Sequence, residues 1–237
     1  MWRPRGLVIE DLDRMEAAAA TWIAVAVETS IRERGHCSLA LAGGATPGAV
    51  YRRLAEGPHS ERIAWDKVAI YFGDERCVPP DAPESNFRMA AETLLGRIPI
   101  PHSQVHRMEA ERPDRDGSAR AYERLLPDSL DILLLGMGPD GHTASIFPHS
   151  AAIEERLRRV VPATSPHPPA CRLTVTPPVI RGARAVAVIV SGAGKAATLA
   201  RVLEGPPVPE ELPIQLASDG FWFVDRAAAR VLEHGVA

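Results

Sequence analysis

Five short apolar runs, separated by stretches with helical patterning, constrain this chain more than any other feature. They fall at residues 37–42, 68–72, 132–135, 172–175 and 185–190. None alternates strictly between apolar and polar positions, as expected for strands covered on both faces. Helical patterns occupy 47–56, 84–95, 118–126 and 195–203. Strands alternating with helices predict an α/β fold, a mainly parallel sheet with helices on both faces in the Rossmann-like manner. A longer helix precedes them: residues 11–34 are Ala-rich and free of Gly and Pro, and Gly35 stands as their stop. A chain of 237 residues, 46% hydrophobic, can bury one sizeable core. No Gly/Ser tract supplies a linker, and the Pro-rich stretches 161–169 and 205–213 read as surface loops, so residues 1–237 are expected to form a single domain.

In such sheets ligands bind beyond the carboxyl ends of the strands, which directs attention to the residues after each run. The first run leads into Gly43-Gly44-Ala45-Thr46-Pro47-Gly48. The glycines allow close backbone approach, Thr46 suits a helix cap and Pro47 a first helical position. A helix N-terminus there would favour phosphate, although an ordinary strand–helix turn has the same composition. The second run ends in Gly73-Asp74-Glu75-Arg76, where carboxylates and a guanidinium can orient hydroxyls or meet developing charge; a solvated strand end with local ion pairs reads the same way.

The third run opens Gly136-Met137-Gly138-Pro139-Asp140-Gly141-His142-Thr143-Ala144-Ser145. A dinucleotide reading of these glycines fails, because Pro139 and Asp140 occupy the turn and no acidic residue ends a following strand at the expected distance. What remains is an acid–histidine pair, the usual equipment of a general base that activates water. His36, His59, His102, His106, His149, His167 and His234 read instead as surface histidines. Arg172 opens the fourth run, and Lys195 follows Ser191-Gly192-Ala193-Gly194 after the fifth. A nucleotide-binding P-loop would need glycine in place of Ile189 and Ser or Thr in place of Ala196. Lys195 could instead meet a phosphate as a point charge and Arg172 as a fork.

A net charge of −3 and a pI near 6.2 create no global field for nucleic acid or an anionic membrane, so a small ligand held by local charges is expected. Cys37, Cys77 and Cys171 are odd in number and lack CxxC spacing, which predicts neither a disulfide framework nor a structural zinc site. Together with an opening, Met1-Trp2-Arg3-Pro4, that carries no signal-like apolar run, this reads as a cytoplasmic protein in a reducing compartment.

Taken together, the GGATP loop, GDER with the following Glu84-Ser85-Asn86, GMGPDGHTASIFP, RLTVTPPVI, the GAGK turn and Trp222-Phe223-Val224-Asp225 resemble the soluble 6-phosphogluconolactonase family of the pentose phosphate pathway. The resemblance spans nearly the whole chain, and DGHTASIFP is its most specific segment. It implies the fold shared with glucosamine-6-phosphate deaminases, hydrolysis of 6-phospho-D-glucono-1,5-lactone and no cofactor. It further implies that His142 is the base, Asp140 its partner and Arg76 a residue at the lactone end. Thr46, Arg172 and Lys195 would bind the phosphate, with Gly43, Gly44, Asp74 and Glu75 also at the substrate. The deaminase–isomerase branch places a Glu five residues after the His, where this chain has Phe147, and an apolar ring cannot relay a proton. A non-catalytic sugar-phosphate sensor would need neither Asp140 nor His142. A nucleophilic Cys77 would need a partnered histidine.

Overall fold

The computed structural model describes residues 4–233; Met1, Trp2, Arg3 and His234 lie outside the described residues. Nine strands and nine α-helices follow one another among them. The strands are β1 (Gly6–Glu10), β2 (Cys37–Leu41), β3 (Val68–Phe72), β4 (Asp74–Arg76), β5 (Ile132–Gly136), β6 (Val160–Thr164), β7 (Cys171–Val175), β8 (Ala185–Val190) and β9 (Phe221–Asp225). The helices are α1 (Leu12–Arg34), α2 (Ala45–Ala55), α3 (Gly57–Arg62), α4 (Asn86–Ala90), α5 (Arg115–Leu125), α6 (Ala151–Glu154), α7 (Pro177–Gly182), α8 (Ala196–Glu204) and α9 (Arg226–Ala229).

Six strands form a parallel sheet in the order β1-β9-β8-β5-β2-β3. From β2 the chain runs outward to β3 on one side and returns as β5 on the other. The switch point therefore lies between β2 and β5, where this topology opens a crevice. All five residues of β2 are buried, and because successive side chains point to opposite faces, both faces of that strand are covered. Helix α1 buries Met15, Ala19, Ile23 and Val27, a stripe at four-residue spacing, against α2 and β9. Its C-terminus is closed by Gly35 at φ 80°, whose N–H reaches the Ile31 carbonyl at 2.8 Å.

Asp131, just before β5, fastens the amino ends of the central strands. Its carboxylate accepts from Ser38 N–H at 2.8 Å, Ser38 Oγ at 2.9 Å and Arg34 Nε at 2.8 Å. Burial opposes its ionisation, but the Ser38 donors and the Arg34 charge outweigh that and hold its pKa below the ordinary carboxylate value.

Four sequence expectations change. The run at 172–175 does not join the parallel sheet. As β7 it is the centre of a separate antiparallel sheet, β4-β7-β6, and pairs with the short β4 that follows Gly73. The stretch 161–169 is not wholly loop, since β6 begins at Val160; Pro162 is tolerated there because β6 is an edge strand. The helix expected over 84–95 starts at Asn86, capped by Ser85 Oγ on Arg88 N–H at 3.2 Å, and widens to a π-turn over Ala91–Leu95. Finally, Cys77 and Cys171 are joined by a disulfide, with Cα atoms 5.3 Å apart. They are 94 residues apart in sequence but meet across β4 and β7, one register step beyond the Arg76–Arg172 pair. Chain spacing carries no trace of that proximity. Cys37 is the free and buried thiol, pushed up to about 12 by burial.

Candidate active site

Two buried tyrosines set the strand ends from which the site is built. Tyr51 Oη accepts from Ala42 N–H at 2.8 Å and donates to Ala42 O at 2.9 Å, at the end of β2. Tyr122 Oη treats Phe72 in the same way at the end of β3, at 2.7 and 3.2 Å. Burial raises both phenol pKa values far above normal, so these pins stay protonated. A glycine follows each pinned residue. A Cβ on Gly43 would lie 2.1 Å from Asn86 Oδ1, so only glycine lets the α4 start pack there.

Beyond β2, Gly44 adopts φ 105° and precedes α2. Thr46 is not the cap that its sequence position suggests. It lies inside the first turn, and its hydroxyl hydrogen-bonds Ser191 Oγ at 2.7 Å, tying the β2 loop to the β8 loop. No side chain caps α2, which leaves the N–H groups of its first turn directed out of the helix.

The β5 loop carries the acid–histidine pair. His142 Nδ1 lies 2.5 Å from Asp140 Oδ1, which also accepts the His142 backbone N–H at 3.2 Å. Burial resists the Asp140 charge, yet the His142 hydrogen bonds and charge prevail and hold its pKa below normal. The ring packs where any Cβ on Gly138 would collide at 2.1 Å, and Gly141, at φ 84°, turns the chain between acid and base. Its other neighbour is Phe147, with ring centroids 4.5 Å apart. Among the described residues Nε2 of His142 has no protein hydrogen-bond partner, which leaves it open to the cavity.

These loops enclose a cavity of about 240 Å³ lined by Gly43, Gly44, Thr46, Asp74, Arg76, His142 and Lys195 among others. Lys195 is partly buried there; desolvation lowers its pKa, against a raising effect from Asp225. Three residues expected at the site stand apart from the cavity wall. Asp140 sits behind the imidazole. Glu75 turns inward: its carboxylate accepts Arg76, Asn86 and Phe87 N–H groups and the Ser85 hydroxyl at 2.7–3.1 Å. Burial nonetheless raises its pKa, and its bonding anchors the α4 start.

Arg172 is the third departure. It is not on the wall with Lys195 and Thr46 but opposite Arg76 in the β4–β7 ladder, only 7% exposed and with no side-chain hydrogen bond or ion pair among the described residues. Burial, then the Arg76 charge, lowers its pKa. Arg76 lines the cavity, and Arg172 stands behind it as its cross-strand neighbour. With Cys77 locked in the disulfide, no thiol stands beside Arg76 to act as a nucleophile.

Sequence reasoning did not single out Ser145, Ser191 or Asp225, though each lies in or beside a motif that it used. Asp225 Oδ1 accepts from Gly192 N–H at 3.0 Å and Ala228 N–H at 2.7 Å, fixing the turn that presents Lys195. Among the described residues no three His, Cys, Asp or Glu side chains gather as a metal site. No helix there is long and apolar enough to cross a membrane. A larger cavity of about 530 Å³ lies between the π-turn and α5. It holds His102 and His106, and among the described residues neither ring is paired with a carboxylate.

Fold and site together define a doubly wound α/β protein with an Asp–His pair, a lysine and an arginine pair gathered at the switch point of its sheet. The chain belongs to the glucosamine-6-phosphate isomerase/6-phosphogluconolactonase family, whose model matches residues 10–222. It is 38% identical to the 6-phosphogluconolactonase of Mycobacterium tuberculosis, over 95% of this chain and 97% of that protein. It superposes on the 6-phosphogluconolactonase of Trypanosoma brucei with a TM-score of 0.85 and 29% identity, covering 98% of this chain and 100% of that one. A monomeric glucosamine-6-phosphate deaminase, at 23% identity and a TM-score of 0.84 over 95% and 99% of the two chains, shares the fold.

Proposed function

We propose that this chain is a 6-phosphogluconolactonase, hydrolysing the ring ester of 6-phospho-D-glucono-1,5-lactone to 6-phospho-D-gluconate in the pentose phosphate pathway. The observation that carries the reading is His142, held by Asp140 through Nδ1 and open at Nε2 towards a cavity with cationic groups at two ends. Asp140 accepts the Nδ1 proton and so selects the tautomer in which Nε2 is the acceptor. A water hydrogen-bonded to Nε2 gives up a proton as its oxygen attacks the ring carbonyl. The tetrahedral oxyanion is met by the Arg76 guanidinium. When the carbonyl carbon–ring oxygen bond breaks, the imidazolium returns its proton to the leaving ring oxygen, and the new carboxylic acid ionises into solvent. No covalent enzyme intermediate is required, because a δ-lactone is an activated ester.

At the other end, the first-turn N–H groups of α2, the Thr46 hydroxyl and Lys195 bind the phosphate. Anchoring there orients the carbonyl towards His142. Phosphate esters do not cross bilayers unaided, so the reaction is placed where its substrate is made, which we take to be the cytoplasm.

Acid release from freshly prepared 6-phosphogluconolactone, corrected for spontaneous opening, tests the reading. Glucosamine 6-phosphate and unphosphorylated gluconolactone serve as controls. Ammonia release from the amino sugar, with no acceleration of lactone opening, would favour the deaminase branch. Phe147 against the His142 ring, in place of a carboxylate, speaks for hydrolysis.

A further inference from the structure

We propose that Ser145 and Asn86, neither of which lines the cavity, are positioning residues that act through Asp74 to lock the strand bearing Arg76 to the loop bearing His142. The inference rests on the hydrolytic reading above. Asp74 is the junction: its Oδ2 accepts from Ser145 Oγ at 2.6 Å, and its Oδ1 accepts from Asn86 Nδ2 at 3.0 Å. The same amide nitrogen donates to the Asp74 carbonyl at 2.9 Å. Ser145 is fixed a second time by its N–H on Thr174 Oγ1 at 3.1 Å, and Thr174 is the register partner of Asp74 across β4 and β7. Asn86, pressed against Gly43, brings the phosphate-loop backbone into the same assembly.

Three loops from the carboxyl ends of β2, β3 and β5 thus meet at one buried carboxylate. Ser145, Asn86 and Thr174 are at most 2% exposed, and Asp74 is 7% exposed. Two neutral donors do not by themselves repay a buried charge, so the carboxylate needs another reason. It faces the cationic end of the cavity, where its negative charge offsets the Arg76–Arg172 pair. Ser145 lies three residues after His142 in the same tight turn, where Thr143 and Ile146 bond across the bend. Any drift of Ser145 therefore shifts the imidazole relative to Arg76, and misplacement of about 1 Å can cost about 100-fold in rate.

The test measures Ser145→Ala in two backgrounds, the parent and His142→Ala. In the parent, corrected kcat should fall by about 10- to 100-fold, with KM for the phosphorylated lactone within about twofold. In the His142→Ala background the same change should cost less than about twofold, because the group that Ser145 positions is already gone. A folding defect would lower activity equally in both backgrounds and would overturn the proposal, as would an unchanged kcat in the parent or a KM rise matching the kcat loss. Asn86→Ala removes the other tie and must show the same pattern, so a Ser145 variant that does not fold leaves the question open to measurement. His142→Ala alone reports on the hydrolytic reading: if its kcat equals the parent's, that reading fails, whatever Ser145 does.

Discussion

Arg76 and Arg172 stand directly opposite each other in the β4–β7 ladder, each with a buried Nε that has no partner. Like charges facing across a ladder are destabilising, and the pair persists here beside a disulfide and the Asp74 carboxylate. Residue chemistry alone divides these arginines between the two ends of a substrate, whereas the register sets them side by side. Arg172→Ala should lower kcat/KM by about 10- to 150-fold, the equivalent of a charged hydrogen bond. Comparison of phosphorylated and unphosphorylated gluconolactone locates the effect. Equal losses place Arg172 at the lactone end with Arg76; a loss confined to the phosphorylated substrate returns it to the phosphate.

His142→Ala should reduce corrected kcat by about 10²–10⁴-fold with the fold intact, the usual contribution of a positioned acid–base group. Circular dichroism and a thermal midpoint near the parent's establish the intact fold. Near-parental corrected kcat would remove His142 from the mechanism.

Phe147→Glu alone should not release ammonia from glucosamine 6-phosphate. The new carboxylate would stand beside the His142 ring, but isomerisation also needs ring opening and proton transfer aligned to about 0.5 Å by supporting residues that this chain has not assembled. Substantial ammonia release by the single variant would show that this position decides the chemistry by itself.

Lys195 should make phosphate binding weaken at a lower pH than an ordinary lysine would. Burial depresses its pKa, so the ammonium is lost earlier as pH rises, and the charge that attracts the phosphate goes with it. Calorimetric titration of 6-phosphogluconate from neutral to alkaline pH follows the effect without interference from lactone hydrolysis. Lys195→Arg, which keeps its charge throughout that range, should flatten the profile; an equally steep profile in that variant would place the titrating group elsewhere.

Asp131 should contribute to acid sensitivity of the fold. Its folded-state pKa is depressed, so its stabilising contribution is fully present above the unfolded value of about 3.9 and is lost as pH falls through the folded value. Asp131→Ala leaves the buried Ser38 donors without their acceptor and Arg34 with Glu33 as its remaining partner, and should cost about 1–3 kcal/mol at neutral pH. Asp131→Asn should show a shallower loss of thermal midpoint on acidification; an unchanged slope would assign the acid limb to other carboxylates.

Local physical chemistry made much of this protein legible in its sequence. A helix without Gly or Pro that ends at Gly35, apolar runs long enough only for strands, and glycine-rich turns after them set the α/β class and directed attention to the loops that carry chemistry. Asp140 and His142 were readable because an acid and a base two residues apart in a tight turn meet whatever the rest of the chain does. Relations between distant segments were not readable. The pairing of β4 with β7 turned a presumed parallel strand into an antiparallel one, set Arg172 against Arg76 and brought Cys77 to Cys171. The same packing drew Glu75 inward and made Asp74 the junction of three loops. Side chains 12 to 97 residues apart meet at Asn86–Asp74 and Arg34–Asp131. Sequence fixes which groups are available and the local turns that present them. Strand register and long-range packing, which no single segment encodes, decide which of those groups face one another and which face the substrate.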